Sequence, residues 1–287
     1  MADIETLPQD IYNLFSPHVD HLASEENLET FCTNLKQTLR QRLAKQESRE
    51  GNLRFSSLGW PDRKLWLASR GVQGEEMNGK LLFKFLYGHI IEELILFLAK
   101  EAGHSVSNEQ EEVEVLGVKG HIDAIVDGVV VDVKSASPFG YKKFKDGTVI
   151  EDDPFGYIQQ ISGYSNVLTP TQGPAFIAFD KVAGDICVSP VSISVASCHK
   201  PEDRISHLKQ ALASDVIPPV CYPPVPDGKS GNMKLATGCS YCAYKKECWP
   251  QARLFLYSTG PRWLTTVARE PDVHEVKEKD IVLSEDM

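Results

Sequence analysis

Apolar residues recur along this chain first at helical spacing and then at strand spacing. Residues 27–48 and 80–101 repeat apolar side chains at the spacing of an amphipathic helix. Runs rich in β-branched residues predict strands at 111–117, 120–126, 129–135, 174–180 and 185–195. Further helices are predicted to start at Arg63 and to cover 157–168 and 201–214. This order of elements predicts an α/β fold in which a mixed sheet is flanked by helices.

Changes in composition indicate four segments. Residues 1–55 form a predicted N-terminal helical region, and 56–215 hold the predicted strands of the core, with a lysine-rich loop at 138–155. Residues 216–260, rich in proline and cysteine, are predicted to form a small metal module packed on the core. The acidic end of the chain, 261–287, is predicted to be flexible.

The composition is that of an ordinary globular protein, with 42% hydrophobic and 24% charged residues in a chain of 287. The longest plain apolar stretch, Leu94–Ala99, is far too short to cross a bilayer, so no membrane association is expected. The N-terminus carries Asp3, Glu5 and Asp10 and lacks the pattern of a secretory signal. We therefore expect a cytosolic protein.

A net charge of −10 argues weakly against a protein that coats nucleic acid through bulk charge. Two local basic clusters modify that argument. Residues 36–64, which include Arg63, contain eight basic residues against three acidic ones, and a second cluster consists of Lys142, Lys143 and Lys145. Such clusters can guide a phosphate backbone into a groove, or they can be solvated helix faces.

The dipeptide Asp127-Gly128 lies between two valine-rich runs and predicts a two-residue hairpin turn. Counting outward from this turn places Asp123 directly opposite Asp132, with their Cβ atoms roughly 4.5–5.5 Å apart. Lys134 lies two residues further along the strand and therefore shares that face. The other face should be buried. It presents Ile122, Ala124, Val126, Val129, Val131 and Val133.

Two like charges directly opposite each other destabilise a strand pair unless something compensates them. A divalent cation can do so, and Mg²⁺ fits because it takes few carboxylates and keeps several waters. A nearby lysine can orient a metal-bound water or stabilise charge that develops on a phosphate. The pattern therefore predicts hydrolysis of phosphodiesters. The alternative is an aspartate at a strand end and an unrelated surface Asp-x-Lys.

The segments Gly120-His121-Ile122-Asp123 and Asp132-Val133-Lys134 resemble the core motif of the PD-(D/E)XK nuclease superfamily. Two outer segments, Gly88-His89-Ile90-Ile91-Glu92 and Gln160-Ile161-Ser162-Gly163-Tyr164, resemble those of its branch of RecB-like, Cas4-like and phage exonucleases. The resemblance covers roughly residues 56–250. It implies a restriction-endonuclease-like core within residues 56–215.

By this resemblance, Asp123, Asp132 and Lys134 form the catalytic core, and Glu92 is a third ligand for Mg²⁺ or Mn²⁺. Gln160 and Tyr164 would position a DNA strand near the scissile phosphate. The residues alone leave alternatives: Gln160 and Tyr164 are one helical turn apart and could be an ordinary pair on a helix. Glu92 could face solvent, with His89 as the ligand, and His121 is expected to be structural.

Seven cysteines are an odd number in a chain expected to be cytosolic, so a disulfide framework is improbable. Cys239, Cys242 and Cys248 follow the pattern C-x₂-C-x₅-C, and Cys221 lies upstream. Four such thiolates can surround one tetrahedral metal centre. The alternative is a set of small buried residues.

The same resemblance implies a [4Fe–4S] cluster, because Cas4-like nucleases complete three C-terminal cysteines with a distant N-terminal one. This chain departs from that pattern, since Pro61-Asp62-Arg63 stands where the N-terminal cysteine would be. Cys32 lies on the apolar stripe of a helix and is predicted to be core. Cys221 is then the expected fourth ligand, and Zn²⁺ remains open. Either centre would attach the C-terminal segment to the core without performing hydrolysis.

The leading hypothesis is a Mg²⁺- or Mn²⁺-dependent deoxyribonuclease. The resemblance favours an exonuclease that acts at DNA ends or on single strands, in phage or mobile-element DNA processing inside the host cytoplasm. The second hypothesis is a catalytically silent nucleic-acid-binding module, and the third is a structural protein held by its cysteine centre. The intact set of Asp123, Asp132 and Lys134 favours the enzyme.

Overall fold

The computed structural model describes residues 3–18, 21–44, 53–169 and 171–277. The chain divides into two compact units, of which the first comprises Met1–Gly59 and Met77–Lys209. The second comprises Trp60–Glu76 and Gln210–Met287. The structure therefore groups residues 60–76 with the cysteine-rich segment, whereas the composition placed them in the core.

The first unit is built on a mixed five-stranded sheet, which confirms the predicted fold class. The strands Val129–Ala136 and Ala175–Asp180 are parallel, and the other neighbouring strands of this sheet are antiparallel. A separate antiparallel ribbon consists of β2 (Glu112–Val115) and β3 (Val118–His121). The strands of the main sheet are, in spatial order, β1 (Val106–Ser107), β4 (Ala124–Val126), β5 (Val129–Ala136), β6 (Ala175–Asp180) and β7 (Ile186–Pro190).

Helices cover both faces of this sheet. The helices that begin in the first unit are α1 (Leu7–Leu14), α2 (Glu25–Leu43), α4 (Gly79–Glu101), α5 (Pro138–Lys145), α6 (Tyr157–Leu168), α7 (Ile193–Ser197) and α8 (Pro201–Ala213), of which α8 continues past Lys209; α3 (Asp62–Ser69) belongs to the second unit. On one face, Leu7 of α1 and Ile91 and Ile95 of α4 pack against the valines of β4 and β5. On the other face, Phe144 of α5 and Ile161 of α6 pack around Phe176.

The hairpin between β4 and β5 forms as predicted. Its turn residues, Asp127 and Gly128, have φ angles of 50° and 84°, which a two-residue turn of this kind requires. The register is also as predicted for the pairs Val126–Val129, Ile125–Val130 and Ala124–Val131. The valine face of the hairpin belongs to the core that α4 covers. The alternation of the sequence therefore determined which side of these strands is buried.

Three predicted segments differ from the structure. The predicted strand 120–126 is interrupted at Ile122 and Asp123, so that β3 and β4 belong to different sheets. The predicted loop 138–155 opens with helix α5, whose N-terminus is capped by the Ser137 hydroxyl. The predicted strand 185–195 ends at Pro190, after which Ser192 caps α7.

Helix α2 lies where residues 27–48 predicted a helix, and residues 45–48 lie outside the described part of the chain. None of its described residues is buried. Phe31 contacts Phe97 of α4, with ring centroids 5.0 Å apart, and this contact fixes which side of α2 faces the core. Cys32 is exposed, so its prediction as a core residue is wrong. The apolar stripe of α2 is only half-buried.

The second unit contains an antiparallel five-stranded sheet that the sequence did not predict. Arg253 binds Glu270 and Glu275, with nitrogen–oxygen distances of 2.5 Å and 2.7 Å. These pairs hold residues that the sequence assigned to a flexible tail, of which 278–287 lie outside the described chain. The predicted boundary at residue 261 falls within the strand Gly260–Thr266. The strands are, in spatial order, β12 (Glu275–Val276), β10 (Arg253–Tyr257), β11 (Gly260–Thr266), β9 (Met233–Lys234) and β8 (Val225–Pro226). Two short helices, α9 (Thr237–Ser240) and α10 (Lys245–Cys248), contain Cys239 and Cys248, and Cys242 lies between them.

Among the described residues, no helix combines the length and apolar character needed to cross a membrane.

Gly120 allows a close contact that positions α6 against the ribbon. A Cβ at this position would lie 2.2 Å from Phe55 Cβ and 2.5 Å from Tyr164 Oη. We expect Gly120→Ala to lower the free energy of unfolding by about 1–3 kcal/mol, as overpacking of a core does. Urea unfolding measures the change.

Gly79→Ala is the matched control, because nothing lies within 4 Å of a Cβ at Gly79 and the residue is in the first turn of α4. We expect it to be neutral or to stabilise by about 0.5–1 kcal/mol. Equal unfolding midpoints for the two variants would show that the Phe55–Tyr164 contact does not require glycine.

Candidate active site

Acidic residues from three parts of the first unit meet at one end of the β4–β5 hairpin. Glu92 comes from α4, Asp123 from the link between β3 and β4, and Asp132 from the middle of β5. Each of the three carboxylates lies close enough to influence the ionisation of another. Lys134 forms an ion pair with Asp132. The structure therefore brings together the four residues that the sequence predicted.

Asp123 does not pair with Asp132 across the ladder, and the predicted pairing is wrong at this one position. The ladder ends at Ala124. The Asp123 carboxylate Oδ2 instead accepts the Val133 N–H at 2.7 Å, and the Asp123 carbonyl accepts the Gln110 N–H at 3.2 Å. Because the side chain takes the place of a backbone acceptor, the aspartate is tied to β5 without continuing the strand.

Glu92 is held from two sides by residues that the family resemblance did not assign to this task. Gln110 Nε2 donates to Glu92 Oε1 at 2.7 Å, and His89 Nδ1 lies 3.3 Å from Glu92 Oε2. Gln110 has a φ of 55°, a conformation that residues other than glycine rarely adopt. Its side chain binds Glu92 while its backbone binds Asp123, so it connects two acids of the site. No pattern in the sequence indicated this role.

Burial and mutual repulsion make these carboxylates unusually weak acids. Burial raises the pKa of Glu92 to about 7, with further contributions from the charges of Asp132 and Glu93. Burial also raises the pKa of Asp123 well above its usual range, and Glu92 and Asp132 add to this effect. Both shifts show that ionisation of these carboxyls is opposed first by burial and then by the neighbouring acids.

Lys134 is the cation that the protein itself supplies. Burial opposes its charge, but the carboxylates of Asp132 and Asp123 outweigh that effect and raise the pKa of Lys134 above its ordinary value. Its ammonium lies 4.8 Å from the ring centroid of Tyr157, at the start of α6. Tyr157 was predicted only as the start of a helix, and its aromatic ring is the one signal that could have indicated a cation contact.

Gln160 and Tyr164 lie on α6 beside the acids but differ in accessibility. Gln160 Nε2 donates to Asp132 Oδ1 at 3.4 Å. The Tyr164 ring stacks on Phe55 with centroids 4.6 Å apart, and the residue is 2% exposed. Gln160 therefore orients an acid of the site, whereas Tyr164 packs in the core in this structure. Their predicted contacts with a DNA strand stay predictions.

The two histidines near the motifs have different environments. Burial, together with the charges of Arg42 and Lys134, lowers the pKa of His89 to about 4, so it is neutral near pH 7. A neutral imidazole can accept as well as donate a hydrogen bond, and it can bind a metal. His121 is exposed on β3, and its Nε2 lies 3.7 Å from Glu112 Oε2. His121 thus pairs with the neighbouring strand of the ribbon.

The basic residues predicted to bind DNA lie in both units. In the first unit, Lys142, Lys143 and Lys145 occupy the last turn of α5. Lys142 lies 3.5 Å from Asp146, and Lys143 is paired with Asp152. In the second unit, Arg63 donates through Nε to Cys248 Sγ at 3.2 Å and through Nη1 to the Pro218 carbonyl at 2.8 Å. Arg63 is thus engaged with the cysteine segment.

The four predicted cysteines come together within the second unit. Burial raises the pKa of Cys239 to about 11, and Cys221, Cys242 and Cys248 raise it further. Burial also raises the pKa values of Cys221 and Cys242, whereas the Lys64 ammonium lowers that of Cys242. Lys64 and Arg63 therefore place two cationic groups beside sulfur atoms. The remaining cysteines, Cys32, Cys187 and Cys198, have no predicted role at a metal.

Within the described part of the chain, no group of three or more His, Cys, Asp or Glu side chains is already arranged to hold a metal ion. The chemistry of both donor sets nevertheless fits one. Three neighbouring carboxylates match the hard oxygen ligands of Mg²⁺ and Mn²⁺. Four thiols match a zinc or iron–sulfur centre.

Comparisons with known proteins give only distant similarity. No family model and no curated protein matches this chain. The protein SSO0001 is 15% identical with a TM-score of 0.40, over 76% of this chain and 96% of that protein. An alkaline exonuclease from Laribacter hongkongensis is 15% identical with a TM-score of 0.37, over 62% of this chain and 89% of the exonuclease. A phage-related exonuclease from Haemophilus somnus 129PT is 15% identical with a TM-score of 0.38, over 57% of this chain and 91% of that exonuclease. Similarity of this degree assigns no activity.

Glu92 should make the metal-free protein less stable as the pH rises. A carboxyl whose pKa is higher in the folded state binds its proton more tightly there, so stability falls as pH increases from the unfolded pKa, about 4.5, to the folded one, about 7. We expect Glu92→Gln to raise the free energy of unfolding at pH 8 by at least about 1 kcal/mol, since one pKa unit corresponds to 1.36 kcal/mol. At pH 4 the gain should vanish.

Urea unfolding in the presence of a chelator measures this difference at both pH values. Glu76→Gln, at an exposed position, is the control and should show no such pH dependence. A loss of stability in Glu92→Gln at pH 8 would contradict the raised pKa of Glu92.

Proposed function

We propose that this protein is a divalent-metal-dependent DNA nuclease that hydrolyses phosphodiester bonds. The observation that carries the proposal is the convergence of Glu92, Asp123 and Asp132 beside one lysine, with two of the acids carrying raised pKa values. If these residues had only a structural role, uncharged side chains would be more stable at their positions. A cation site, in contrast, requires the carboxylates as ligands. The motif order, Asp123 followed by Asp132-x-Lys134, supports the same reading.

Mg²⁺ or Mn²⁺ held by Glu92, Asp123 and Asp132 would lower the pKa of a bound water and neutralise phosphate charge. The protein supplies the remaining functions through groups that are already in place. Lys134 offers an ammonium that can stabilise negative charge developing on a phosphate oxygen. Gln160 orients Asp132, and Gln110 orients Glu92, so that neither acid has to be ordered when substrate binds.

DNA as substrate, and action at ends or on single strands, rest on the resemblance of the Gln160-x-x-x-Tyr164 segment to the exonuclease branch of the superfamily. A role in phage or mobile-element DNA processing rests on the same resemblance. In the structure, Gln160 contacts the acidic cluster directly, which supports a place for this segment at the site. The first unit would then be a restriction-endonuclease-like catalytic core.

Cleavage assays with matched variants test the proposal. We expect the wild type with Mg²⁺ or Mn²⁺ to degrade linear DNA and to leave covalently closed circles intact. Asp132→Asn and Lys134→Ala should each reduce the rate by at least about 100-fold, because removal of one group that stabilises transition-state charge costs this much. Asp146→Asn, an equal charge change on α5, should leave the rate unchanged.

Absence of cleavage by the wild type with every divalent metal would refute the nuclease and favour the silent binding module. Wild-type rates in Asp132→Asn would place the chemistry elsewhere. Cleavage of circles would leave the nuclease standing and refute exonucleolytic action.

We also propose that Cys221, Cys239, Cys242 and Cys248 hold a [4Fe–4S] cluster or Zn²⁺. The proximity of the thiols supports the proposal. Burial raises the pKa values of Cys221, Cys239 and Cys242, neighbouring thiols raise them further, and metal binding would offset this opposition to the thiolate form. Arg63 and Lys64 would further offset the thiolate charge. Because these residues share the second unit with its sheet, the centre would stabilise that unit.

Metal analysis of protein purified without oxygen distinguishes the two centres. Iron and sulfide with a brown colour indicate the cluster, and zinc in a colourless protein indicates the other. We expect Cys239→Ser to lose the metal and to lower the thermal midpoint, whereas Cys32→Ser, at an exposed position, should change neither. The proposed centre is refuted if purified wild-type protein contains no metal and has the same thermal midpoint as Cys239→Ser.

A further inference from the structure

The first two turns of α4 expose an unusual number of large apolar side chains. Leu81, Leu82, Phe83 and Phe85 are 37%, 50%, 67% and 50% exposed. Together they form an apolar patch that extends around the start of the helix; exposed apolar area costs free energy in water, and it commonly marks a surface that binds something. These residues precede Glu92 on the same helix, so the patch leads towards the candidate active site.

The charge around this patch is positive, although the chain as a whole carries −10. Lys80 and Lys84 alternate with the apolar residues and are exposed. No aspartate or glutamate occurs between Met77 and Ile91. The N-terminus of α4 adds the positive end of the helix dipole. The patch therefore combines aromatic rings with positive charge, which favours an anionic partner that has flat rings.

Helical geometry places part of the patch in line with the acids. At about 100° per residue, Phe85 and Leu81 lie within about 20° of Glu92 around the helix axis, whereas Phe83 lies on the opposite side. Phe85 precedes Glu92 by about 10 Å along the axis at 1.5 Å per residue. That distance corresponds to about three stacked nucleotides at 3.4 Å each.

We propose that the side of α4 that carries Leu81 and Phe85 is a stacking surface for a single strand of nucleic acid that enters the candidate active site. The inference rests on the proposed nuclease function and assigns its substrate class. Bases stack on Phe85 and pack on Leu81, and this contact tolerates any sequence because every base has a flat face. Around the helix axis, Lys84 and Lys80 are rotated from Glu92 by about 80° and 120° in the same direction, where they contact phosphates.

Other occupants of an apolar, basic helix are a lipid surface and a second copy of the chain. Neither occupant requires apolar residues on the side of the helix that carries Glu92. Phe83 and Phe85 therefore provide a matched pair, since both are exposed phenylalanines on one helix but lie on opposite sides of it. A strand that runs to the acids depends on Phe85, whereas partition into lipid depends on both.

Binding of a fluorescent oligothymidylate, measured by anisotropy in an Asp132→Asn background, tests the proposal without cleavage. We expect Phe85→Ala to weaken binding about 5- to 100-fold, the range for loss of one base–aromatic contact. Phe83→Ala should stay within about twofold of the parent. Lys84→Gln should reduce the slope of log affinity against log salt by about 1. The Asp132→Asn protein with phenylalanine at both positions is the reference.

Equal affinity in the Phe83→Ala and Phe85→Ala proteins overturns the proposal. Two further outcomes overturn it if both substitutions leave the affinity for oligothymidylate unchanged. One is that both weaken binding of the protein to anionic lipid vesicles, and the other is that both dissociate a dimer detected by sedimentation. The two proposals fail separately. A wild type that cleaves DNA while Phe85→Ala binds normally refutes the stacking surface alone. A wild type that never cleaves, with binding that depends on Phe85, refutes the nuclease and leaves a strand-binding surface.

Discussion

Negative charge held out of water at the end of the β4–β5 hairpin constrains the rest of the first unit. Glu92 and Asp123 have raised pKa values because burial and the neighbouring acids oppose their ionisation. Lys134 offsets part of that charge through Asp132. The surrounding backbone and side chains hold the three acids close together, although a larger separation would lower the repulsion between their carboxylates. Gln110 adopts a left-handed conformation while contacting two of them.

The mixed sheet makes this convergence possible because its two faces are covered by different helices. Glu92 comes from the helix on one face, and Gln160 comes from the helix on the other. Asp132 and Lys134 come from β5, whose neighbours bury both of its faces. Gly120 and Gly88 permit the close approaches beside the site, since a Cβ at Gly88 would already lie 3.3 Å from Ser135 Oγ. Small residues therefore set how near the helices come.

The sequence did not reveal the surroundings of several residues, because those surroundings depend on distant contacts. Tyr164, whose predicted contact with DNA stays a prediction, packs on Phe55, more than a hundred positions earlier. Cys32 lies on an apolar stripe that α4 covers only in part. Glu270 and Glu275 belong to the segment that the sequence assigned to a flexible tail, yet both pair with Arg253 of β10. Composition cannot show such partners.

The sequence alone determined the fold class, the position of the hairpin and its register from Val126–Val129 to Ala124–Val131, and it grouped Asp123, Asp132 and Lys134. Local rules suffice for these, because alternation sets the buried face and Asp127-Gly128 sets the turn, whereas Glu92 was added only by the family resemblance. The tertiary structure alone decided that Asp123 leaves the ladder to bind Val133, that Gln110 supports Glu92, and that residues 60–76 join the cysteine unit. Each of these depends on which distant groups remain to satisfy a buried donor or charge, and that is settled only when the chain has packed.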